Sequence, residues 1–179
     1  CKVLKSNSDY DLSSIIHQRK ILKFSKIKNL NIVTVSNWLK EKSLESKLFS
    51  DYKIKVIYNT IDSQFFRPKN KLNSRRIFNF KQKSKLVLYG AFSATKDERK
   101  GYHKFIDSIK YINDPKVEFV IFGSEKFNSK IINGYKFHFL GNIFDEKNLV
   151  NLYNAVDVTV VPSMQEAFGQ VATESMACG

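Results

Sequence analysis

Cysteine is close to absent from this chain of 179 residues, which holds only Cys1 and Cys178, at opposite ends. Two thiols so placed give no disulfide framework and fit a reducing compartment, the cytoplasm. Arginine is also scarce, with 5 among 30 basic side chains. Arginine is the bidentate, base-reading cation, so its scarcity argues against a nucleic-acid-binding module despite the net charge of +13. No apolar run approaches the roughly 20 residues that span a bilayer, so any membrane contact is peripheral. Histidine is limited to His17, His103 and His138, none paired with cysteine or acids at zinc-like spacing, and no metal is called for. Neither an internal repeat nor an extended low-complexity segment is present.

What the chain does have is 42% hydrophobic and 13% aromatic residues, ample for a core. From residue 86 onward the apolar pattern alternates. Residues 86–90 form a strand ending in Gly90, and Lys100-Gly101 opens a helix whose Tyr102, Phe105, Ile106, Ile109 and Ile112 repeat at helical spacing. A strand over 117–122 ends before Gly123, a helix is expected next, and a strand over 136–140 ends before Gly141. Asp145 caps a helix carrying Leu149, Leu152 and Tyr153, a strand over 157–161 is closed by Pro162-Ser163, and a last helix covers 168–177. This order predicts an α/β fold with a parallel sheet, right-handed crossovers and helices on both faces. Before it come a helix over 12–25, a strand over 32–35, a helix over 37–47 and a strand over 53–57.

The chemistry concentrates in residues 160–174, where Glu166 and Glu174 stand eight positions apart across a strand-to-helix junction. Free amides of Ala167, Phe168, Gly169 and Gln170 at the helix start suit a phosphate, and Gly169 lets the backbone approach closely. Two carboxylates also suggest a glycosidase. Eight helical residues rise about 12 Å, however, against about 5 to 5.5 Å for a retaining pair and about 6.5 to 9.5 Å for an inverting one. Hydrolysis is disfavoured, and the two acids suit different hydroxyls of one long ligand.

The E-x7-E pattern, flanked by Pro162-Ser163 and by Ala177-Cys178-Gly179, resembles the retaining GT-B glycosyltransferases of family four, the group 1 glycosyl transferases. Residues 34–39, residues 56–62, Phe65 or Phe66, and Pro68 are similar to that family's passage from acceptor to donor domain. Thr60 stands where the family has a glycine. The resemblance implies a partial Rossmann-like donor domain over 86–179, an acceptor-domain remnant over 1–57, and a linker with an irregular or helical lead-in over 58–85. It implies that Glu166 contacts hydroxyls of the transferred sugar, that Glu174 binds the ribose, and that Lys100 binds the donor pyrophosphate. It places the donor base near Gly141, Asn142 and Ile143, with Gly123 and Ser124 on the same edge.

An arginine that many relatives carry after the first donor-domain strand is replaced here by Ala91 or Phe92. The loop from Gly90 through Ser93 to Thr95 resembles a subgroup of bacterial surface-polysaccharide (colanic-acid-type) synthesis, in which Ser93 and Thr95 donate to phosphate or shape a turn. The implied activity is metal-independent transfer of a sugar from a nucleotide-sugar donor to a saccharide or lipid-linked acceptor. A GT-B epimerase or phosphorylase shares the motif and remains the alternative.

Residues 1–85 carry 20 basic and 6 acidic side chains, residues 86–179 carry 10 and 11. A cationic acceptor side suits an anionic leaflet, at about 1 kcal/mol per lysine or arginine near the surface, or is simply a solvated surface. Asp9-Tyr10-Asp11 spells the D-x-D of metal-dependent GT-A enzymes, most simply by accident. Because the chain begins at Cys1 and stops where relatives continue, it is expected to be an internal piece, inactive alone.

Overall fold

Asp11 opens the first regular element, accepting the Ser14 amide at 2.9 Å and capping α1 (Leu12–Phe24). The D-x-D string thus ends in a helix cap. The structure is a computed structural model describing residues 5–179, and the chain divides into two compact units, Cys1–Asn59 and Thr60–Gly179. Cys1, one of the two thiols weighed above, lies outside the described residues; Cys178 is a buried free thiol.

In the first unit β1 (Asn31–Thr34) and β2 (Lys53–Val56) pair in parallel, joined through α2 (Asn37–Leu44). Ser36 caps α2 by accepting the Leu39 amide. Neither helix buries a residue, and Thr34 and Ile54 are the unit's buried side chains among those described. Leu12, Ile15, Ile16 and Leu22 of α1 stay exposed.

The second unit opens with Thr60, whose φ is not positive, so threonine is unstrained where the family has a glycine. Asn70 caps α3 (Lys71–Ile77). From α3 the Arg75 guanidinium, 4% exposed, donates to the carbonyls of Ala155 at 2.8 Å and Gln82 at 2.6 Å and pairs with Asp157 at 2.7 Å. Asp157 also accepts the Leu86 amide and the Lys71 ammonium. Such burial is tolerable because each group finds partners, and it ties the lead-in to the sheet.

The sheet is built from β3 (Lys85–Gly90), β4 (Val117–Phe122), β5 (Phe127–Ile132), β6 (Tyr135–Gly141) and β7 (Val158–Val160), in the order β5-β6-β4-β3-β7. β3, β4, β6 and β7 are parallel, whereas β5 runs antiparallel to β6. The helix expected between β4 and β6 is therefore a strand. Asn133 and Gly134, with φ of 51° and 82°, form a two-residue turn whose twist suits a hairpin, and that turn decides the local structure.

The central strand β4 is buried throughout and splits its side chains between two cores. Val120 and Phe122 join Leu86, Leu88, Leu152 and Tyr153 on one face; Phe119 and Ile121 join Tyr89, Phe105 and Phe137 on the other. α5 (Glu146–Ala155) and α6 (Gln170–Cys178) cover the first face, and α4 (Tyr102–Ser108) the second. Asp145 caps α5 as expected, accepting the Lys147 and Asn148 amides.

The strand order sets where a ligand fits. From β3 the chain adds β4 and then β6 on one side, after which α5 carries it back to β7 on the other side of β3. The loops after β3 and β7 thus leave in opposite directions from adjacent parallel strands, and such a switch point opens a crevice at the strand carboxyl ends.

Candidate functional site

Tyr89 of β3 lies opposite Val160 of β7, so the two outgoing loops emerge side by side. They are stitched together. The Met164 amide donates to the Arg99 carbonyl at 2.8 Å. Gly101, at φ 71°, approaches so closely that a Cβ there would lie 2.2 Å from the Pro162 carbonyl oxygen. The buried Tyr89 hydroxyl donates to the carbonyls of Ala94 and Lys100. Burial, with Tyr102 and Asp97 adding to it, pushes the Tyr89 phenol up to about 12, so it remains a donor.

Lys100 closes a single 3₁₀ turn (Glu98–Lys100) capped by Asp97. Its ammonium meets Glu166 Oε1 at 2.7 Å, and the Ser163 hydroxyl donates to the same oxygen at 2.9 Å. Both charged groups are only partly buried, with 23% and 31% of their side chains exposed, so the pair is open to a competing ligand. Arg99 turns away onto Asp97, whose carboxyl it holds below the ordinary range.

Glu174 is held elsewhere. It lies at the midpoint of α6, 8% exposed, and accepts the Tyr153 hydroxyl of α5 at 2.7 Å. Burial first, then the hydrogen bond and charge of Glu174, raise the Tyr153 phenol, which keeps its proton. Ser175 donates to Thr159 at 2.7 Å and fixes α6 against β7.

The helix start differs from expectation. α6 begins at Gln170, with Gly169 as its cap at φ 85°, and the Ala172 and Thr173 amides already bond the Gly169 carbonyl. The orphan amides are those of Gln170 and Val171, whereas Ala167 and Phe168 belong to the preceding loop. Gly169 sets the boundary, because its left-handed turn stops the helix from extending backward. An added Cβ at Gly169 would meet nothing within 4 Å, so this backbone faces open space. Glu166 consequently lies four residues ahead of the helix, and the rise estimated for eight helical residues does not describe its separation from Glu174.

The remaining predicted residues gather at one edge. Ser93, Thr95, Gly123 and Asn142 line a cavity of about 140 Å³ with Phe92, Lys96, Ser124 and Glu125. Lys96 and Glu125 pair across it at 2.7 Å. The Ala94 amide donates to the Gly123 carbonyl and the Gly123 amide to that of Gly141, which joins the loops after β3, β4 and β6. Ser93, at φ 53°, accepts the Lys96 and Asp97 amides through its carbonyl and so shapes the turn.

Two glycines serve packing. A Cβ on Gly90 would lie 2.0 Å from the Phe122 ring, and one on Gly123 1.8 Å from the Ala91 oxygen. Ile143 packs against the core containing Val150 and Leu152.

Two partners escaped the sequence reading. Ser163, three positions before Glu166, matches the S-x-x-E spacing of mutual side-chain and backbone bonding. Tyr153 was read only as core, although a buried phenol needs an acceptor. His138 pairs with Glu118 at 2.6 Å beneath the sheet, away from this edge, and Ser84 donates to the same carboxylate. Among the described residues no helix is long and apolar enough to cross a membrane.

A family model described as "Glycosyl transferases group 1" matches residues 70–179. An uncharacterized glycosyltransferase of Methanocaldococcus jannaschii is 31% identical over 181 residues, covering 94% of this chain and 45% of that protein. Among solved structures, a sucrose-phosphate synthase from Thermosynechococcus elongatus superposes with a TM-score of 0.69 at 22% identity, over 99% of this chain and 46% of that one. Anabaena HepE in complex with UDP and glucose superposes with a TM-score of 0.67 at 18% identity, over 96% and 48%. The chain spans about half the length of the proteins it matches. The architecture, a mostly parallel sheet flanked by helices, is the α/β fold of GT-B carboxyl-terminal domains that the sequence resemblance implied.

Proposed function

Because the chain belongs to the group 1 glycosyl transferases, we propose that the crevice between the β3 and β7 loops binds a nucleotide-sugar donor for transfer, with retention, to a saccharide or lipid-linked saccharide in surface-polysaccharide synthesis. The observation that carries this reading is the Lys100–Glu166 pair at the switch point, 2.7 Å apart and partly open to solvent. A diphosphate offers Lys100 two negative groups in place of one carboxylate. As Lys100 moves to it, Glu166 becomes free to accept sugar hydroxyls, with Ser163 retaining its orientation.

The Gln170 and Val171 amides and the dipole of α6 stabilise the leaving diphosphate as charge develops, and no metal ion is needed for that role. Glu174 takes the ribose, and the cavity beside Ser93, Thr95, Gly123 and Asn142 takes the base or its neighbouring phosphate. The acceptor hydroxyl attacks the anomeric carbon from the face that the diphosphate leaves, and no carboxylate serves as a covalent nucleophile. HepE, solved with UDP and glucose, supports a donor of this class.

We take Thr60–Gly179 as part of the donor-side domain and Cys1–Asn59 as the end of the acceptor side. The lysine-rich first unit faces an anionic leaflet from the cytoplasm, which co-sedimentation with anionic and neutral vesicles tests. A thermal-shift panel of UDP-, GDP-, ADP- and CMP-sugars on the intact protein tests the main reading. Stabilisation by one nucleotide class is expected, and stabilisation by none contradicts it. Product analysis with an acceptor separates transfer from epimerisation or phosphorolysis.

A further inference from the structure

We infer that Tyr153 is a positioning residue for nucleotide binding, acting through Glu174, and this rests on the ribose role proposed for that carboxylate. Tyr153 is 4% exposed and comes from α5, whereas Glu174 comes from α6. The 2.7 Å bond between them is the only side-chain hydrogen bond of Glu174 among the described residues, and it spans the two helices. The Phe122 ring meets the Tyr153 ring edge-on at 6.3 Å, which fixes the phenol from the sheet side.

Two consequences follow from this placement. The bond leaves Oε2 committed to the protein, so the ribose is received by the other carboxylate oxygen. A carboxylate held at one oxygen is oriented before the ligand arrives, which lowers the ordering cost of binding. The other ionisable side chain acting on this pair is Cys178 of α6, whose thiol is raised by burial and, against the opposing charge of Lys69, by Glu174. It therefore stays neutral and leaves Tyr153 as the group that orients the acid.

The test is calorimetric binding of the preferred free nucleoside diphosphate to the intact wild type, Tyr153→Phe, Glu174→Gln and the double variant. Phenylalanine keeps the ring and its packing. Tyr153→Phe is expected to weaken binding by about five- to tenfold, less than the full worth of one hydrogen bond to a charged group because Glu174 itself remains. It should add no further loss in the Glu174→Gln background. A loss that persists unchanged in that background would mean that Tyr153 acts only through packing. If Glu174→Gln weakens binding while Tyr153→Phe does not, the positioning role alone fails. If Glu174→Gln leaves binding unchanged, the ribose role fails and takes the positioning role with it.

Discussion

Lys100 Nζ and Glu166 Oε1 lie 2.7 Å apart, joining the loop after β3 to the loop after β7 across the switch point of the sheet. On the function proposed above, each is the partner that the other releases when a donor binds, and binding exchanges one ion pair for two sets of ligand contacts.

Lys100→Ala should weaken a nucleoside diphosphate by about ten- to a hundredfold, the worth of a charge-assisted hydrogen bond, and the corresponding nucleoside hardly at all. Titration of both ligands checks this. An unchanged preference for the diphosphate removes Lys100 from the site.

Freed from its partner in Glu166→Gln, Lys100 should bind the free diphosphate as tightly as in wild type or more so. In a double-mutant cycle the Lys100–Glu166 coupling should be about 0.5 to 1 kcal/mol by urea unfolding, since the pair is only partly buried. Weaker diphosphate binding by Glu166→Gln would contradict the exchange.

Gly101→Ala places a Cβ against the Pro162 carbonyl at a position that requires positive φ. The strain of a left-handed alanine is about 1 kcal/mol or more before the contact is counted. The variant should be destabilised by more than that in urea and should lose donor binding, because the two loops can no longer close on each other. Gly134→Ala, also at positive φ but with no atom within 4 Å of the added Cβ, should cost only the conformational strain and leave binding intact.

Acid should loosen the clasp between α3 and β7. Burial alone would raise the Asp157 carboxyl, but the Lys71 ammonium, the Leu86 amide and the Arg75 charge together lower it. A folded-state value below the unfolded one stabilises the fold above about pH 4 and is lost as pH falls through the folded value. Asp157→Asn should therefore cost about 1 to 3 kcal/mol at pH 7 by leaving Arg75 short of its charged partner. The difference from wild type should shrink below about pH 4, as urea unfolding across pH would report.

Most of the strand and helix positions were legible because hydrophobic period and terminal glycines agree along this chain. Asp145 and Ser36 cap where short polar side chains precede apolar repeats. The segment between β4 and β6 was not read correctly, although Asn133-Gly134 carries a strong hairpin signal. β5 is too exposed to show an apolar face, so periodicity said little and the turn residues should have decided. The start of α6 lies two residues beyond the expected one because Gly169 sits in a stretch that reads as helix until its positive φ is known. For the site, residue spacing brought Glu166 and Glu174 to attention, but the partners of each come from other parts of the chain. Tyr153 is 21 positions from Glu174 and Lys100 is 66 from Glu166, beyond the reach of any local pattern.

The most direct test is calorimetric titration of the intact wild type, Glu166→Gln and Glu174→Gln with the preferred nucleotide sugar and with its free nucleoside diphosphate. Glu166→Gln should lose affinity for the nucleotide sugar alone, and Glu174→Gln should lose affinity for both ligands. Equal losses for both ligands in both variants, or no loss in either, would contradict a donor held at its sugar by Glu166 and at its ribose by Glu174.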